Sequence, residues 1–199
     1  MLNRIALIAA FVAAPAFAQA TTVELAKPPV ASDVVPVAID TSLGRIVVAL
    51  DRLHAPKTTA NFLKYVDTHK YDGEAFYRAM PYGDGGLIQG GIRSDARKLN
   101  PPVAFESAAT TGIRNKAGAI AMADLEPGKA QADFFIETVD FPSFDSNDGF
   151  AAFGQVIEGM DIVKAILAAP VSPTKGEGAM RGQMLDPVVR IVKVSRVKP

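Results

Sequence analysis

Hydrophobic residues alternate with polar ones in several short runs of the chain, a pattern that is typical of β-strands with one buried face. The first two runs, 34–40 and 45–51, are rich in valine and isoleucine. The polar segment 41–44 between them ends in glycine, so the pattern predicts a β-hairpin with a tight turn. Further short strands are predicted between 73 and 156, and a last strand is predicted over 188–194.

Two segments have the helical period instead. Residues 56–69 place apolar side chains on roughly one face, and a proline at the start suits a first helical turn. By the same criterion, residues 159–168 are predicted to form a second, shorter helix. Loops are predicted over 81–86, 93–102 and 169–187. Many short strands with two helices far apart in the sequence predict a mainly β fold, a closed barrel capped by helices.

The first twenty residues have a different pattern. Residues 1–20 contain an early Arg4, then an apolar run, then small residues at alternate positions. These features are typical of a secretory signal peptide, and the apolar run is too short to cross about 30 Å of hydrocarbon. We therefore expect 1–20 to be removed during export, 21–33 to be a flexible leader, and 34–199 to be a single domain.

Composition narrows the class of protein. Basic and acidic side chains are equal in number, 21 of each, and no basic stripe is present, which argues against nucleic acid as a partner. The chain has no cysteine, so it has neither disulfides nor a lipid-modified cysteine. No later apolar stretch is long enough to cross a membrane. We expect a soluble, exported protein in the periplasm.

Acid–base, metal and phosphate-binding motifs have little support in the sequence. His54 and His69 have no partner at the spacing of metal ligands or of a catalytic dyad, so structural or surface roles are predicted. Segment 83–85 lacks the third glycine and the following helix of a dinucleotide-binding loop. Segment 145–149 looks faintly like a calcium loop, but Val156 stands where a bidentate glutamate belongs. No metal or cofactor is therefore expected.

The polar residues that remain lie among apolar strands. Alternation places Leu87 on the same face as Gln89, and it places Asp133 on the same face as Phe135, with the intervening residues directed into the core. Together with Arg78, such a face can hold a peptide group in an apolar pocket. The pattern alone equally allows an ordinary surface face with an exposed arginine.

Seven short motifs extend over most of the chain: Asn61-Phe62, Phe76-Tyr77-Arg78, Gln89-Gly90-Gly91, Ile120-Ala121-Met122-Ala123, Phe134-Phe135-Ile136, Phe153-Gly154-Gln155-Val156 and Gly159-Met160. In this order and approximate spacing, the chain resembles cyclophilin-type peptidyl-prolyl isomerases, especially exported bacterial ones. The resemblance implies a closed eight-stranded antiparallel β-barrel capped by two α-helices. It also implies a monomeric enzyme without a cofactor, which acts on X–Pro bonds of exported proteins during folding.

The resemblance further implies roles for individual residues. Arg78 donates to the prolyl nitrogen, whose lone pair becomes available as the amide twists, and Gln89 holds the backbone beside it. Leu87, Phe135 and Phe144 line the proline pocket. The full set of substrate-binding residues that the resemblance implies is Phe76, Leu87, Met122, Ala123, Asp124, Asp133, Phe135, Phe144 and Phe150.

The chain departs from the family pattern around this pocket. Tyr77 replaces a histidine, and strand alternation faces it away from Arg78, so little effect is expected. The segment 81–87 is longer than its family counterpart and leaves Gly86 nearest to the position of a pocket phenylalanine. Tyr82 is the residue available to fold in and replace that ring.

Asp133 replaces a glutamine and is expected to form an ion pair with Arg78, which either positions the arginine or diverts it from substrate. From these changes we hypothesise a working but slower or differently selective isomerase. If Asp133 is what limits it, Asp133→Gln should raise the turnover. Ser143 stands in place of a tryptophan and should weaken cyclosporin binding. Because no catalytic group titrates, activity should be flat from about pH 6 to 8.

Two alternatives stay open at the level of sequence. The first is a catalytically weak cyclophilin-like module or chaperone whose pocket binds proline peptides. The altered segment 81–87 and Asp133 are the two features that support it. The second is a barrel that stores a small apolar ligand in its interior. Phe134, Ile120 and Met122 are expected to fill that interior, which favours the isomerase.

Overall fold

The structure, a computed structural model, describes residues 33–124 and 126–197. The predicted signal peptide and nearly all of the predicted leader lie outside the described residues. The strands are β1 (Val34–Thr41), β2 (Gly44–Asp51), β3 (Ala75–Tyr82), β4 (Gly85–Gly91), β5 (Ala119–Met122), β6 (Phe134–Glu137), β7 (Ala152–Glu158), β8 (Val171–Ser172) and β9 (Met184–Arg196). The α-helices are α1 (Pro56–Asp67), α2 (Ala108–Thr111) and α3 (Met160–Leu167).

Eight of these strands form a closed antiparallel barrel. Their order around the barrel is β1-β2-β7-β5-β6-β4-β3-β9, and pairing of β1 with β9, from Val37↔Arg196 to Thr41↔Ile191, closes the ring. The two-residue β8 pairs with β9 outside this ring. The expected eight-stranded barrel is therefore confirmed, and closure removes the exposed sheet edges that an open sheet would have.

Alternate residues of the strands point inward and fill the barrel with side chains. Within this core, the Phe134 ring lies 5.3 Å from Phe62, 5.5 Å from Tyr71 and 5.6 Å from Phe76, measured between ring centroids. All three contacts are edge-to-face, the arrangement that aromatic quadrupoles favour. Since Phe62 comes from α1, this cluster joins the helix to the sheet. A filled interior argues against the storage of a small ligand.

The two longer helices lie close to their predicted positions. At the N-terminus of α1, the Glu106 carboxylate accepts hydrogen bonds from the backbone N–H groups of Lys57 and Thr58. A negative charge here complements the positive end of the helix dipole. At the β1–β2 turn, Gly44 has φ +143, a backbone conformation that favours glycine, and it lies close to the Ile162 side chain of α3. No helix in the described part of the chain is long and apolar enough to cross a membrane.

The segment 81–86 is a β-hairpin rather than the predicted loop. β3 continues to Tyr82 and β4 begins at Gly85, so Gly83 and Asp84 form a two-residue turn. Gly83 has φ +57, and a positive φ at the first position is a property of favoured hairpin turns. The three glycines of this segment suggested a loop because glycine has low strand propensity, but cross-strand pairing overrides that preference.

Candidate active site

A β-bulge in β3 creates the centre of the site. Phe76 pairs with Gly90 and Arg78 pairs with Gln89, so Tyr77 is an extra residue in β3. A bulge interrupts strict alternation and re-aims side chains. As a result, Tyr77 and Arg78 line the same pocket on the outside of the barrel. The expectation that Tyr77 faces away from Arg78 is wrong, because it assumed an unbroken alternation.

Hydrogen bonds connect five polar side chains along the pocket wall. The Tyr77 hydroxyl donates to Asp133 Oδ2 at 2.6 Å and accepts from Gln89 Nε2 at 2.8 Å. Arg78 Nη1 donates to Gln89 Oε1 at 2.9 Å. On the other side, Arg78 Nε donates to Gln183 Oε1 at 2.8 Å. The guanidinium is therefore held at two of its nitrogens by neutral amide oxygens.

The Arg78 guanidinium carries its charge in a largely apolar setting. Burial lowers its pKa from the usual value, but an arginine stays protonated at any physiological pH. Its third nitrogen, Nη2, lies 3.3 Å from Met80 Sδ, which is a weak acceptor. The salt bridges among the described residues do not include Arg78, so the expected ion pair with Asp133 is wrong. Nη2 thus retains the most capacity to donate to a bound peptide.

The apolar side of the pocket belongs to a cluster separate from the barrel core. Leu87 and Phe135 are buried in it, and Phe144 and Phe150 are packed against it. Phe135 makes edge-to-face contacts with Phe144 at 5.9 Å and with Phe150 at 5.1 Å. The pocket has a volume of about 440 Å³. This size and this mixed lining suit a short peptide segment with one apolar ring.

Most residues predicted from the sequence line this pocket together. They are Arg78, Leu87, Gln89, Ala123, Asp124, Asp133, Phe135, Phe144 and Phe150. Phe76 and Met122 do not line it, because their side chains are 0% and 1% exposed and lie in the barrel core. These two residues support the strands of the site from the inside.

Four further residues at the site were not predicted from the sequence. Met80 follows Arg78 by two positions, so alternation counted from Arg78 would have placed both on one face. Arg93 lies over the Tyr77 ring, with Cζ 4.6 Å from the ring centroid. Met180 and Gln183 come from the glycine-rich segment that follows β8, where the sequence has no periodicity that could indicate them.

Tyr82 does not line the pocket, so it does not replace the missing pocket phenylalanine. Tyr82 is 60% exposed and packs on Phe141, with ring centroids 5.0 Å apart. Gly86 has no room for a side chain, because an added Cβ would lie 2.0 Å from the carbonyl oxygen of Met80. The Met80 side chain lines the pocket instead.

Burial also changes the titration of groups around the pocket. It raises the pKa of Asp124 to about 6 and raises the pKa of Asp133, an effect opposed by the hydrogen bond from Tyr77. Burial, together with the Asp133 carboxylate, raises the pKa of Tyr77, so its hydroxyl remains a donor. Across the described ranges, no group of three or more His, Asp or Glu side chains is arranged to hold a metal ion.

Comparisons with known proteins agree with the architecture. Residues 36–196 match the family model described as cyclophilin type peptidyl-prolyl cis-trans isomerase/CLD. The chain is 37% identical over 147 residues to peptidyl-prolyl cis-trans isomerase cyp18 of Streptomyces antibioticus, a match that covers 70% of this chain and 87% of that protein. It is 39% identical over 137 residues to peptidyl-prolyl cis-trans isomerase A of Dickeya dadantii, covering 65% of this chain and 70% of that protein.

A solved structure resembles the fold at lower identity. The crystal structure of a Cryptosporidium parvum cyclophilin type peptidyl-prolyl cis-trans isomerase superposes with a TM-score of 0.68 at 20% sequence identity. The match covers 83% of this chain and 99% of that chain. At this identity the likeness concerns the fold, and it agrees with the barrel described above.

Proposed function

Because the chain belongs to the cyclophilin-type peptidyl-prolyl cis-trans isomerases, we propose that the pocket at Arg78 is where it accelerates rotation about X–Pro bonds. The observation that carries this proposal is the setting of Arg78. Its guanidinium is held at Nε by Gln183 and at Nη1 by Gln89, and it lies in an apolar pocket. A fixed cation beside an apolar wall is suited to a prolyl amide.

The chemistry requires neither a nucleophile nor a proton relay. Amide resonance sets the rotational barrier of a peptide bond at about 18–20 kcal/mol. Twisting the bond breaks this resonance and leaves a lone pair on the prolyl nitrogen. Arg78 donates to that lone pair, an interaction that is absent in the planar ground state and therefore accelerates the reaction. Each tenfold increase in rate requires about 1.4 kcal/mol of stabilisation of the transition state relative to the ground state.

Preorganisation makes Arg78 effective in this role. Two hydrogen bonds already fix the guanidinium, so little reorganisation accompanies the twist of the substrate. The proline ring packs on Leu87, Phe135 and Phe144. Burial of apolar surface there contributes about 25 cal/mol per Å² of contact. The backbone at 123 and 124, which lines the same pocket, holds the residue before proline.

The proposed substrates are exposed X–Pro bonds of proteins that fold after export. This part of the proposal is supported by the signal-peptide pattern of residues 1–20. Expression of the full chain in a Gram-negative host tests it by mass spectrometry of the periplasmic fraction. We expect a protein cleaved after Ala18 or Ala20. Recovery of uncleaved protein from the cytoplasm alone would contradict the export assignment.

A refolding assay separates catalysis from peptide binding without catalysis. The test protein is one whose refolding is limited by prolyl isomerisation, which takes tens to hundreds of seconds without a catalyst. We expect substoichiometric amounts of this chain to increase the refolding rate, and we expect Arg78→Ala to abolish the increase. Arg97→Ala is the matched control, because Arg97 is exposed and pairs with Asp95 away from the pocket. A higher refolding yield at an unchanged rate would favour the chaperone alternative.

A further inference from the structure

The hydrogen-bond chain from Asp133 to Arg78 has a defined direction. A tyrosine hydroxyl has one proton to donate, and an ionised carboxylate can only accept. At the 2.6 Å contact, the Tyr77 proton is therefore directed to Asp133 Oδ2. The Tyr77 oxygen is left to accept, and it does so from Gln89 Nε2 at 2.8 Å.

This direction determines which way the Gln89 amide points. With Nε2 directed to Tyr77, Oε1 faces Arg78 Nη1 and accepts its hydrogen bond at 2.9 Å. If the amide were rotated by half a turn, Nε2 would face Nη1 and two donors would oppose each other. The orientation of Gln89 is therefore favoured from both ends, by Arg78, which can only donate, and by the Tyr77 oxygen, which accepts because its proton is directed to Asp133.

We propose that Asp133 and Tyr77 are positioning residues of the isomerase, which hold the Gln89 amide so that its oxygen fixes the Arg78 guanidinium. The proposal rests on the function proposed above for Arg78. It reverses the expectation from the sequence that Asp133→Gln raises the turnover. Asp133 contacts Tyr77 instead of Arg78. A glutamine at this position could donate as well as accept, so it would no longer fix the direction of the hydrogen bonds.

Burial and close packing favour a single arrangement of these groups. Tyr77 and Gln89 are 6% and 8% exposed, so water has little access to compete for their hydrogen bonds. Gly91 lets the Asp133 side chain approach the backbone, because a Cβ at position 91 would lie 2.1 Å from Asp133 Oδ1. The Arg93 guanidinium lies over the face of the Tyr77 ring.

Protonation of Asp133 gives the proposal a signature in the pH profile. The groups that act on this carboxyl are the Tyr77 hydroxyl, the Arg93 guanidinium, the Glu74 carboxylate and the Ile92 N–H. Once Asp133 is protonated, it can donate to the Tyr77 oxygen and compete with Gln89 Nε2 for it, so the Gln89 amide is held less firmly beside Arg78. The rate of catalysis at saturating peptide should therefore fall in acid, below the range where it is constant.

The test uses three variants of the full chain: Tyr77→Phe, Asp133→Ala and the double variant. kcat and KM are measured by NMR exchange with a short Ala-Pro peptide. We expect each single variant to lower kcat about tenfold with little change in KM, since each loses one hydrogen bond of the series from Asp133 to Arg78. Both residues act on Arg78 through the same hydrogen bonds, by way of Gln89. The kcat of the double variant should therefore be no lower than that of the slower single variant.

The control is Tyr71→Phe. Tyr71 is a buried tyrosine whose hydroxyl donates to the Ala132 carbonyl oxygen at 2.8 Å, outside this chain of hydrogen bonds. We expect Tyr71→Phe to lose stability and keep its kcat. If Asp133→Ala does not fold, the pH profile of Tyr77→Phe still decides the question, because that variant should lack the fall in acid.

Different results would overturn the positioning role of Tyr77 and Asp133 and the proposed role of Arg78. If Arg78→Ala is inactive while Tyr77→Phe retains the parent kcat and the parent acid profile, the positioning role is overturned and Arg78 keeps its assignment. If the losses of kcat in the two single variants add up in the double variant, Tyr77 and Asp133 do not act through the same hydrogen bonds, and the proposal is likewise overturned. If Arg78→Ala is as active as the parent protein, the proposed function of the pocket fails first.

Discussion

At the scale of single residues, Glu137 has an unusual environment. It lies on β6, its side chain is 0% exposed, and neither carboxylate oxygen has a hydrogen-bond partner among the described residues. Burial raises the pKa of Glu137 to about 9, with further contributions from the carboxylates of Asp145 and Asp140. The folded protein therefore holds Glu137 in its neutral form at pH 7.

This environment predicts how stability depends on pH. Between about pH 4.5 and 9, folded Glu137 keeps a proton that unfolded Glu137 has released, so the free energy of unfolding falls as the pH rises. The slope for this one group is at most about 1.4 kcal/mol per pH unit. Glu137→Gln removes the titration, so its advantage over the parent should be small at pH 5 and largest at pH 8.

Urea unfolding at several pH values measures this difference. The matched control is Glu126→Gln, on the segment after Asp124, where the side chain is exposed. Parallel stability curves for the parent and Glu137→Gln between pH 5 and 8 would show that Glu137 is not neutral in the folded protein.

At the scale of secondary-structure elements, the sequence predicts regular strands well and local irregularities poorly. Alternation correctly placed Gln89 and Phe135 on the pocket side and Phe134 in the core, because β4 and β6 are regular there. It misplaced Tyr77, because a bulge is produced by pairing with other strands and has no marker in β3 itself. Met180 and Gln183 were missed for a different reason, because they reach the site from a loop without periodicity.

Gln183 shows what the glycine-rich segment after β8 contributes. It is anchored by its own amide, which donates to the Ala179 carbonyl oxygen at 2.9 Å, and its Oε1 accepts from Arg78 Nε at 2.8 Å. We expect Gln183→Leu to lower kcat by about tenfold, since it removes one of two hydrogen bonds that fix the guanidinium. The peptide exchange assay measures this effect.

The control for Gln183 is another glutamine whose amide binds a backbone carbonyl. Gln155 Nε2 donates to the Ala117 carbonyl oxygen at 2.9 Å, on the exposed side of β7. Gln155→Leu should retain the parent kcat. Equal activity of Gln183→Leu and Gln155→Leu would mean that the segment 173–183 does not help to position Arg78.

At the scale of the whole molecule, two apolar clusters serve different purposes. One fills the barrel and includes Phe62 and Phe134, and the other lies outside the barrel under the pocket and includes Phe135. The first cluster holds most of the buried apolar side chains, so we expect it to contribute most of the hydrophobic stabilisation. The second shapes a surface on which a proline ring can lie, with Phe144 packed at its edge.

This separation predicts that stability and activity respond to different substitutions. Phe62→Ala should lower the free energy of unfolding by about 3–5 kcal/mol, the usual cost of removing a buried ring, while the folded fraction keeps its kcat/KM. Phe144→Ala should cost less stability, because its ring is only partly buried, and should lower kcat/KM. Urea unfolding and the peptide assay measure the two effects, and a loss of activity in Phe62→Ala that exceeds its unfolded fraction would contradict the separation.

The most direct measurement is cis–trans exchange of a short Ala-Pro-Phe peptide, followed by NMR in the presence of the parent protein and of Arg78→Ala. Changes in NMR chemical shifts report peptide binding in the same samples. We expect the parent to accelerate exchange, and we expect Arg78→Ala to bind the peptide while exchange falls by several orders of magnitude. Undiminished exchange with Arg78→Ala would contradict the central role of this arginine, and binding to the parent without acceleration would establish a peptide-binding module instead.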